Sequence, residues 1–396
     1  MRSTVAIAAV LVFAAAPLAR AQDAPAPRDT TESAEELERR LIEELGRADT
    51  TASPQAPATG QGSSLNPNIS AIGDFLVDLS PDEATLEDGD RFQLREVEIG
   101  IQGAVDPYFR YDVFLGFHPE EVEVEEAYAT TLSLPAHLQA KLGKFHLPFG
   151  KVNLTHRPEL HTIDYPLYLQ EYFGEEGLSS TGAWLSVIGA PLGFYQEISV
   201  VGANGIEAHA HGEEEAADVV EESKNLFEDL GDRLWVGHLK NSIDLTEAGN
   251  FELGGSVATS EGDGGRTSFY GIDATYRWKP PQFSKYRSAV LQTEVGWRNA
   301  EHGDTRLGAF VFGQWQLSRR AHVGARWDYV EVPEEEVLEG EPASVSAGQV
   351  LLRVFPTEFS QLRLAYERQR PDGGQALDRL LFQATFALGP HRPHAF

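Results

Sequence analysis

The side chains best suited to chemistry are histidines and carboxylates, and they fall into three groups. His156 and His161 share a proline-rich stretch, His209 and His211 precede Glu213, Glu214 and Glu215, and His391 and His394 close the chain. Imidazole with carboxylate is a donor set that suits zinc. No spacing among them fixes a ligand set. His156, His161, His209 and His211 therefore stand as candidate metal ligands, and solvated loop histidines are the expectation. The acidic run 213–229 reads as solvated charge, or as a contact for the divalent cations that bridge lipopolysaccharide. Catalysis has less to build on. No GxSxG motif occurs and no serine stands at a fixed spacing to a base, so neither an enzyme nor a cofactor is expected.

The first pair of histidines lies in the longest stretch without alternation, 144–179, which also carries Lys151, Arg157, Glu159, Asp164 and Glu171. A loop of that length inside a compact domain is uncommon unless it has a function. A wide β-barrel supplies one, because a long loop can fold back into the lumen and narrow it. Pro148, Pro158 and Pro166 stiffen the stretch. Phe149, Tyr165, Tyr168, Tyr172 and Phe173 give it apolar surface that water disfavours. The five charged residues are thus the expected pore constriction.

The barrel is read from period-two alternation on both sides of that loop. Strands are expected at 69–79, 91–105, 109–117, 122–132, 138–145, 180–190, 194–203, 233–245, 250–259, 268–279, 286–299, 306–318, 320–331, 346–356, 360–370 and 379–389. Phe310 and Phe312 blur the two faces of the twelfth. Counting from the first, odd connections such as 80–90, 146–179, 204–232 and 260–267 are mostly long, acidic or glycine-rich. Even ones such as Asp106-Pro107 are mostly tight. Long loops at one end and short turns at the other are the rule for a transmembrane antiparallel β-barrel, and a soluble sandwich gives no reason for them.

Composition agrees. The 396 residues include no cysteine, so an exported chain would lack disulfides, which a large closed sheet does not need. With 32 Lys and Arg against 61 Asp and Glu, the net charge of −29 argues against nucleic acid as a partner. Residues 1–21 read as a secretory signal: Arg2, an apolar core and a small-x-small site at Ala19-Arg20-Ala21. Residues 22–65 read as a short periplasmic helix, with Ala34, Leu37, Leu41 and Leu45 on one face, and a flexible linker. The barrel occupies 66–396 and ends in the aromatic Phe396, with Pro390 and Pro393 interrupting its last strand.

Parity then assigns the lumen. Glu96, Glu98, Arg110, Asp112, Lys141, Arg277, Glu294, Arg298, Arg326, Asp328, Arg353 and Arg363 face inward on this count. The lining is mixed, without the arginine ladder a phosphate channel would want.

Three segments resemble the phosphate-selective porin O/P family and its relatives. They are FQLREVEIGIQGAVDPYFRYDVFLGF (92–117), VEEAYATTLSLPAHLQAKLGKFHLPFG (124–150) and YFGEEGLSSTGAWLS (172–186), with the likeness best over 92–190. The resemblance implies a sixteen-stranded, trimeric outer-membrane channel that passes small solutes or ions, in contact with lipid and lipopolysaccharide. A looser resemblance, to zinc-regulated TonB-dependent receptors, is opposed by residues 22–65, too few for a plug. It leaves a metal-associated or non-conducting binding barrel as the alternative.

Overall fold

The computed structural model describes residues 67–389, apart from 82–84, 87–88, 120, 206–232, 263–264, 302 and 333–342. The expected signal, the periplasmic helix and linker, His209, His211, the acidic run and residues 390–396 lie outside the described residues.

Sixteen antiparallel strands close into one barrel, each hydrogen-bonded to its chain neighbours and the first to the last. They are β1 (Asn68–Asp78), β2 (Phe92–Ala104), β3 (Phe109–Phe117), β4 (Val122–Thr131), β5 (Leu138–His146), β6 (Ser179–Gly189), β7 (Tyr195–Ala203) and β8 (Leu234–Thr246). The second half comprises β9 (Gly249–Gly262), β10 (Gly265–Trp278), β11 (Ala289–Ala300), β12 (Arg306–Gln316), β13 (Ala321–Glu331), β14 (Ser344–Thr357), β15 (Ser360–Pro371) and β16 (Leu377–Leu388). One helix, α1 (Leu167–Phe173), lies in the long connection between β5 and β6. The seam pairs Ala71 with Leu388 through to Asp78 with Leu381, and the rings of Phe75 and Phe386 meet edge-on across it at 6.3 Å. One expectation is corrected: 260–267 is not a long loop. β9 and β10 stay in register to Gly262 and Gly265, leaving only 263–264 between them.

The two faces are inverted relative to a water-soluble protein. Phe92, Leu388 and Trp235 are exposed on the outside, whereas Asp74 and Asp328 inside have no exposure at all. Each large apolar side chain left in water would forgo about 2 kcal/mol, so this outer face fits hydrocarbon. Exposed aromatics gather at both rims. Tyr108, Tyr286, Trp315 and Phe359 ring the end with the tight turns; Trp235, Tyr270, Trp327 and Tyr366 ring the end with the long connections. Such girdles mark the two interfaces of a membrane barrel.

Candidate functional site

The segment 147–178, between β5 and β6, folds inward rather than away from the barrel. Asn153 ties its base together. Its side-chain amide donates to the carbonyls of Leu147 and Leu178, both at 2.8 Å, and its Oδ1 accepts from the Leu178 N–H at 2.7 Å. Gly150 then turns with φ +63°, and a Cβ there would stand 2.4 Å from Glu294 on the far wall. Only glycine lets the backbone approach so closely. The Glu294 carboxylate accepts from the N–H groups of Lys151 and Val152, at 2.9 and 2.8 Å, and from the Tyr168 hydroxyl. Ser256 Oγ on β9 accepts from the Gly150 N–H at 2.9 Å.

Helix α1 lies against a strip of inward glycines. Gly271, Gly296 and Gly308 are direct partners across β10, β11 and β12. A Cβ on Gly271 would press on Phe149 and one on Gly296 on the Tyr168 ring. One on Gly308 would meet Tyr168 Cβ at 2.3 Å. Phe310 and Phe312 explain the blurred twelfth strand: both face inward and are buried, Phe310 stacked on Tyr168 and Phe312 on His161. Together with Phe149, Leu169, Tyr172, Phe173 and Phe269 they make a dry core inside the barrel, near the end with the long connections.

The remaining walls hold the segment by charge. Arg363 donates to the carbonyls of Pro158 and Thr162, at 2.8 and 2.6 Å. Arg326 donates to the Thr162 hydroxyl and the Asp164 carbonyl, and pairs with Asp328 at 2.7 Å. Arg95 bonds the Ile163 carbonyl, Asp164 and Asp74 together. Burial would raise the Asp164 pKa, yet Arg95, Arg379 and Arg157 hold it below the usual carboxylate range. The expected mixed lining includes a row of arginines with Asp328 and Glu367 among them. Arg326, Arg353, Arg363 and Arg379 stand on four consecutive strands, and Arg353 and Arg363 are register partners.

Further round the wall, from β2 to β4, His156 is buried and its ring lies among carboxylates. Nδ1 is 2.9 Å from Glu98 and 3.2 Å from Glu125, and Nε2 is 3.0 Å from Glu126. Burial alone would favour the neutral ring, but Glu98, Glu125 and Glu126 hold its pKa well above the ordinary imidazole value. The expectation of solvated loop histidines thus fails at His156. His161 is half-buried, with its Nδ1 3.0 Å from Arg353; burial, Arg353 and Arg363 push its pKa down to about 3.

Two charged residues reach the lumen against simple parity. β2 is bulged between Leu94 and Glu96, which turns Arg95 inward beside Glu96. β4 is bulged between Val124 and Glu126, so that Glu125 and Glu126 both reach His156. Paired charges inside an otherwise strict alternation, Arg95-Glu96 and Glu125-Glu126, were the available signal for these bulges.

Of the expected constriction residues, Lys151 and Glu159 meet at a cavity of about 740 Å³ beside the segment. Arg277, Arg326, Arg353 and Glu358 also line it, and Phe359 and Gly389 place it toward the end with the tight turns. Lys151 pairs with Glu252, which also takes Arg277 at 2.8 Å. Arg157 instead borders the carboxylates around His156 and bonds the Glu175 carbonyl. Asp164 belongs to the arginine wall, and Glu171 is half-buried on α1. Among the expected lining residues, Arg110 pairs with Asp112 at 2.6 Å and Lys141 lies over Trp184 at 4.4 Å. Glu96, Glu98 and Arg298 are buried and inward.

No protein-family model matches the chain. An uncharacterised protein of Aquifex aeolicus (strain VF5) is 28% identical over 338 residues, covering 77% of this chain and 70% of that one. Among solved structures, the outer membrane channel DcaP of Acinetobacter baumannii superposes with a TM-score of 0.54 at 10% identity, over 82% of this chain and 96% of that one. OprB of Pseudomonas putida gives 0.54 at 8% identity, over 81% and 94%. An anion-selective porin from Comamonas acidovorans gives 0.52 at 8%, over 82% and 99%. At these identities the likeness is one of fold, the porin barrel. It does not single out the phosphate-selective O/P family.

Proposed function

We propose that the chain is an outer-membrane channel for passive diffusion of small hydrophilic solutes or ions, and that 144–179 forms its constriction. The observation that carries this is the path of the segment: leaving the barrel between β5 and β6, it bonds residues of β2, β4, β9, β11, β13, β14 and β15. A sixteen-stranded barrel is wide enough for an aqueous pore, so what crosses it sets the conductance. The apolar outer face and paired aromatic rims support a membrane setting. The length asymmetry of the connections supports the tight turns and residues 22–65 in the periplasm. The cavity holding Lys151, Arg277 and Arg353 is then the periplasmic vestibule. A homotrimer in contact with lipid and lipopolysaccharide completes the reading, supported by the fold alone.

Planar-bilayer recording of the purified protein tests it. The expected result is a small, weakly ion-selective conductance that rises when 152–172 is deleted. Lys151→Glu combined with Arg157→Glu shifts selectivity toward cations. Unchanged conductance and selectivity in both variants would remove the constriction, and silence of all three proteins would favour a non-conducting binding barrel. The dense core around α1 is the feature that favours that second outcome.

A further inference from the structure

The wall formed by β2, β4 and the start of the long segment gathers buried carboxylates around one imidazole. Glu96, Glu98, Glu123, Glu125, Glu126 and Glu176 converge around His156. Their basic neighbours are Lys144, 2.6 Å from Glu123, and Arg157, beside Glu96 and Glu176. His118 stands with Glu123 and Glu176 as a further basic neighbour. Buried carboxylates gathered this closely are costly unless a cation answers them.

The geometry points to that cation. We propose that Glu98, Glu125 and His156 bind a divalent first-row transition metal of the zinc class, pinning the segment to the acidic wall. One ligand atom from each lies within 4.8 Å of the others, and His156 Nδ1 stands 2.9 and 3.2 Å from the two carboxylates. Donors about 2.1 Å from a tetrahedral ion stand about 3.4 Å apart, so little rearrangement is needed. Binding at Nδ1 requires that nitrogen to be free of a proton, which is released as the metal enters.

A second observation stands apart from the carboxylates' clustering. Beside Glu125 and His156 lies a small cavity of about 20 Å³, bordered by Glu96 and His146. That is room for one ion or water. Glu96 Oε1 and His146 Nδ1 have no hydrogen-bond partner among the described residues, although Glu96 is 3% and His146 8% exposed. Buried polar atoms are normally satisfied, and two orphans on one ion-sized cavity mark a missing ligand. Glu96 and His146 border the space beside the three ligands, where water or a further donor would complete the shell. With imidazole in the set, the site favours a zinc-class ion over calcium or magnesium, which take oxygen alone.

The site does not depend on whether the barrel conducts, so its test is separate from bilayer recording. The full-length protein in detergent is stripped with chelator and titrated with ZnCl₂ by calorimetry in excess CaCl₂, which occupies surface carboxylates. Thermal unfolding is followed with and without zinc. The expected result is one zinc per chain that survives calcium and raises the unfolding temperature. Glu98→Gln and Glu125→Gln keep side-chain shape and should each weaken binding about tenfold or more. His156→Gln should do the same, while His209→Ala with His211→Ala should not. If the Glu98 and Glu125 variants bind zinc as the parent does, or if the His209/His211 variant alone loses it, the cluster is an internal ion network only. Should His156→Gln fail to fold, the two glutamine variants decide the matter.

Discussion

Two walls of the lumen grip the same segment by opposite chemistry. From β13 to β15, Arg326 and Arg363 donate to main-chain carbonyls of Pro158, Thr162 and Asp164. From β2 to β4, carboxylates surround a single side chain, His156. The arginine wall therefore reads mainly the backbone, with side-chain contacts at Thr162 and His161. The acidic wall reads one imidazole. Within the first wall Arg326 also pairs with Asp328, at 2.7 Å. The first wall sets the position of the segment, and the second makes that position responsive to whatever cation occupies it.

The comparison breaks most readily at the arginines. Arg326→Met with Arg363→Met removes four bonds to the segment and strands Asp328 in the interior. Breaking a buried ion pair costs about 3–5 kcal/mol, the largest loss foreseen here. Thermal unfolding in detergent should fall accordingly, and protease should gain access to residues 155–165 while the barrel stays closed. A segment that remains protected would show that the dry core, not the arginine wall, holds it. Gly308→Val comes next. Its side chain drives into Tyr168 Cβ, and overpacking of this kind costs about 1–3 kcal/mol. The expected signature is displacement of α1, read as a change in conductance with both charged walls intact. In metal-free protein, Glu98→Gln should have a smaller effect, because Glu125 and Glu126 still accept from His156. If it loosened the segment as much as loss of both arginines, the division of labour between the walls would be wrong.

The barrel was legible because its signal is local. Period-two alternation needs only the strand itself, and the burial along β1 follows it, with Ser70, Asp74 and Asp78 inside and Ile69 and Phe75 outside. The interior was legible only in part, because its partners are remote in the chain. Arg363 meets Pro158 across 205 positions and Gly150 meets Ser256 across 106. No spacing rule reaches that far. Phe310 and Phe312 spoiled the alternation of their strand for the same reason: they face a loop, not water. The glycine strip is invisible in sequence because Gly271, Gly296 and Gly308 become neighbours only once three strands are in register. Arg95 and Glu126 escaped the parity count because one-residue bulges reset the faces of their strands.

The smallest predicted effect separates position from charge on a single strand. Arg363 and Arg368 both lie on β15, five residues apart, and alternation sends them to opposite faces. Arg363 points inward and is 1% exposed; Arg368 is exposed on the outer side, 3.3 Å from Asp378. Exposed ion pairs contribute about 0–1 kcal/mol, since water and salt screen them. Arg368→Ala also leaves no carboxylate stranded, because the Tyr366 hydroxyl still donates to Asp378 at 2.7 Å. Unfolding temperature and protease resistance of the segment should therefore match the parent within error. If Arg368→Ala exposed the segment to protease as the inward double variant does, the grip would follow from the net charge of β15. The bonds from Arg363 to the Pro158 and Thr162 carbonyls would then explain nothing, and the contrast between a backbone-reading wall and a side-chain-reading wall would fall with them.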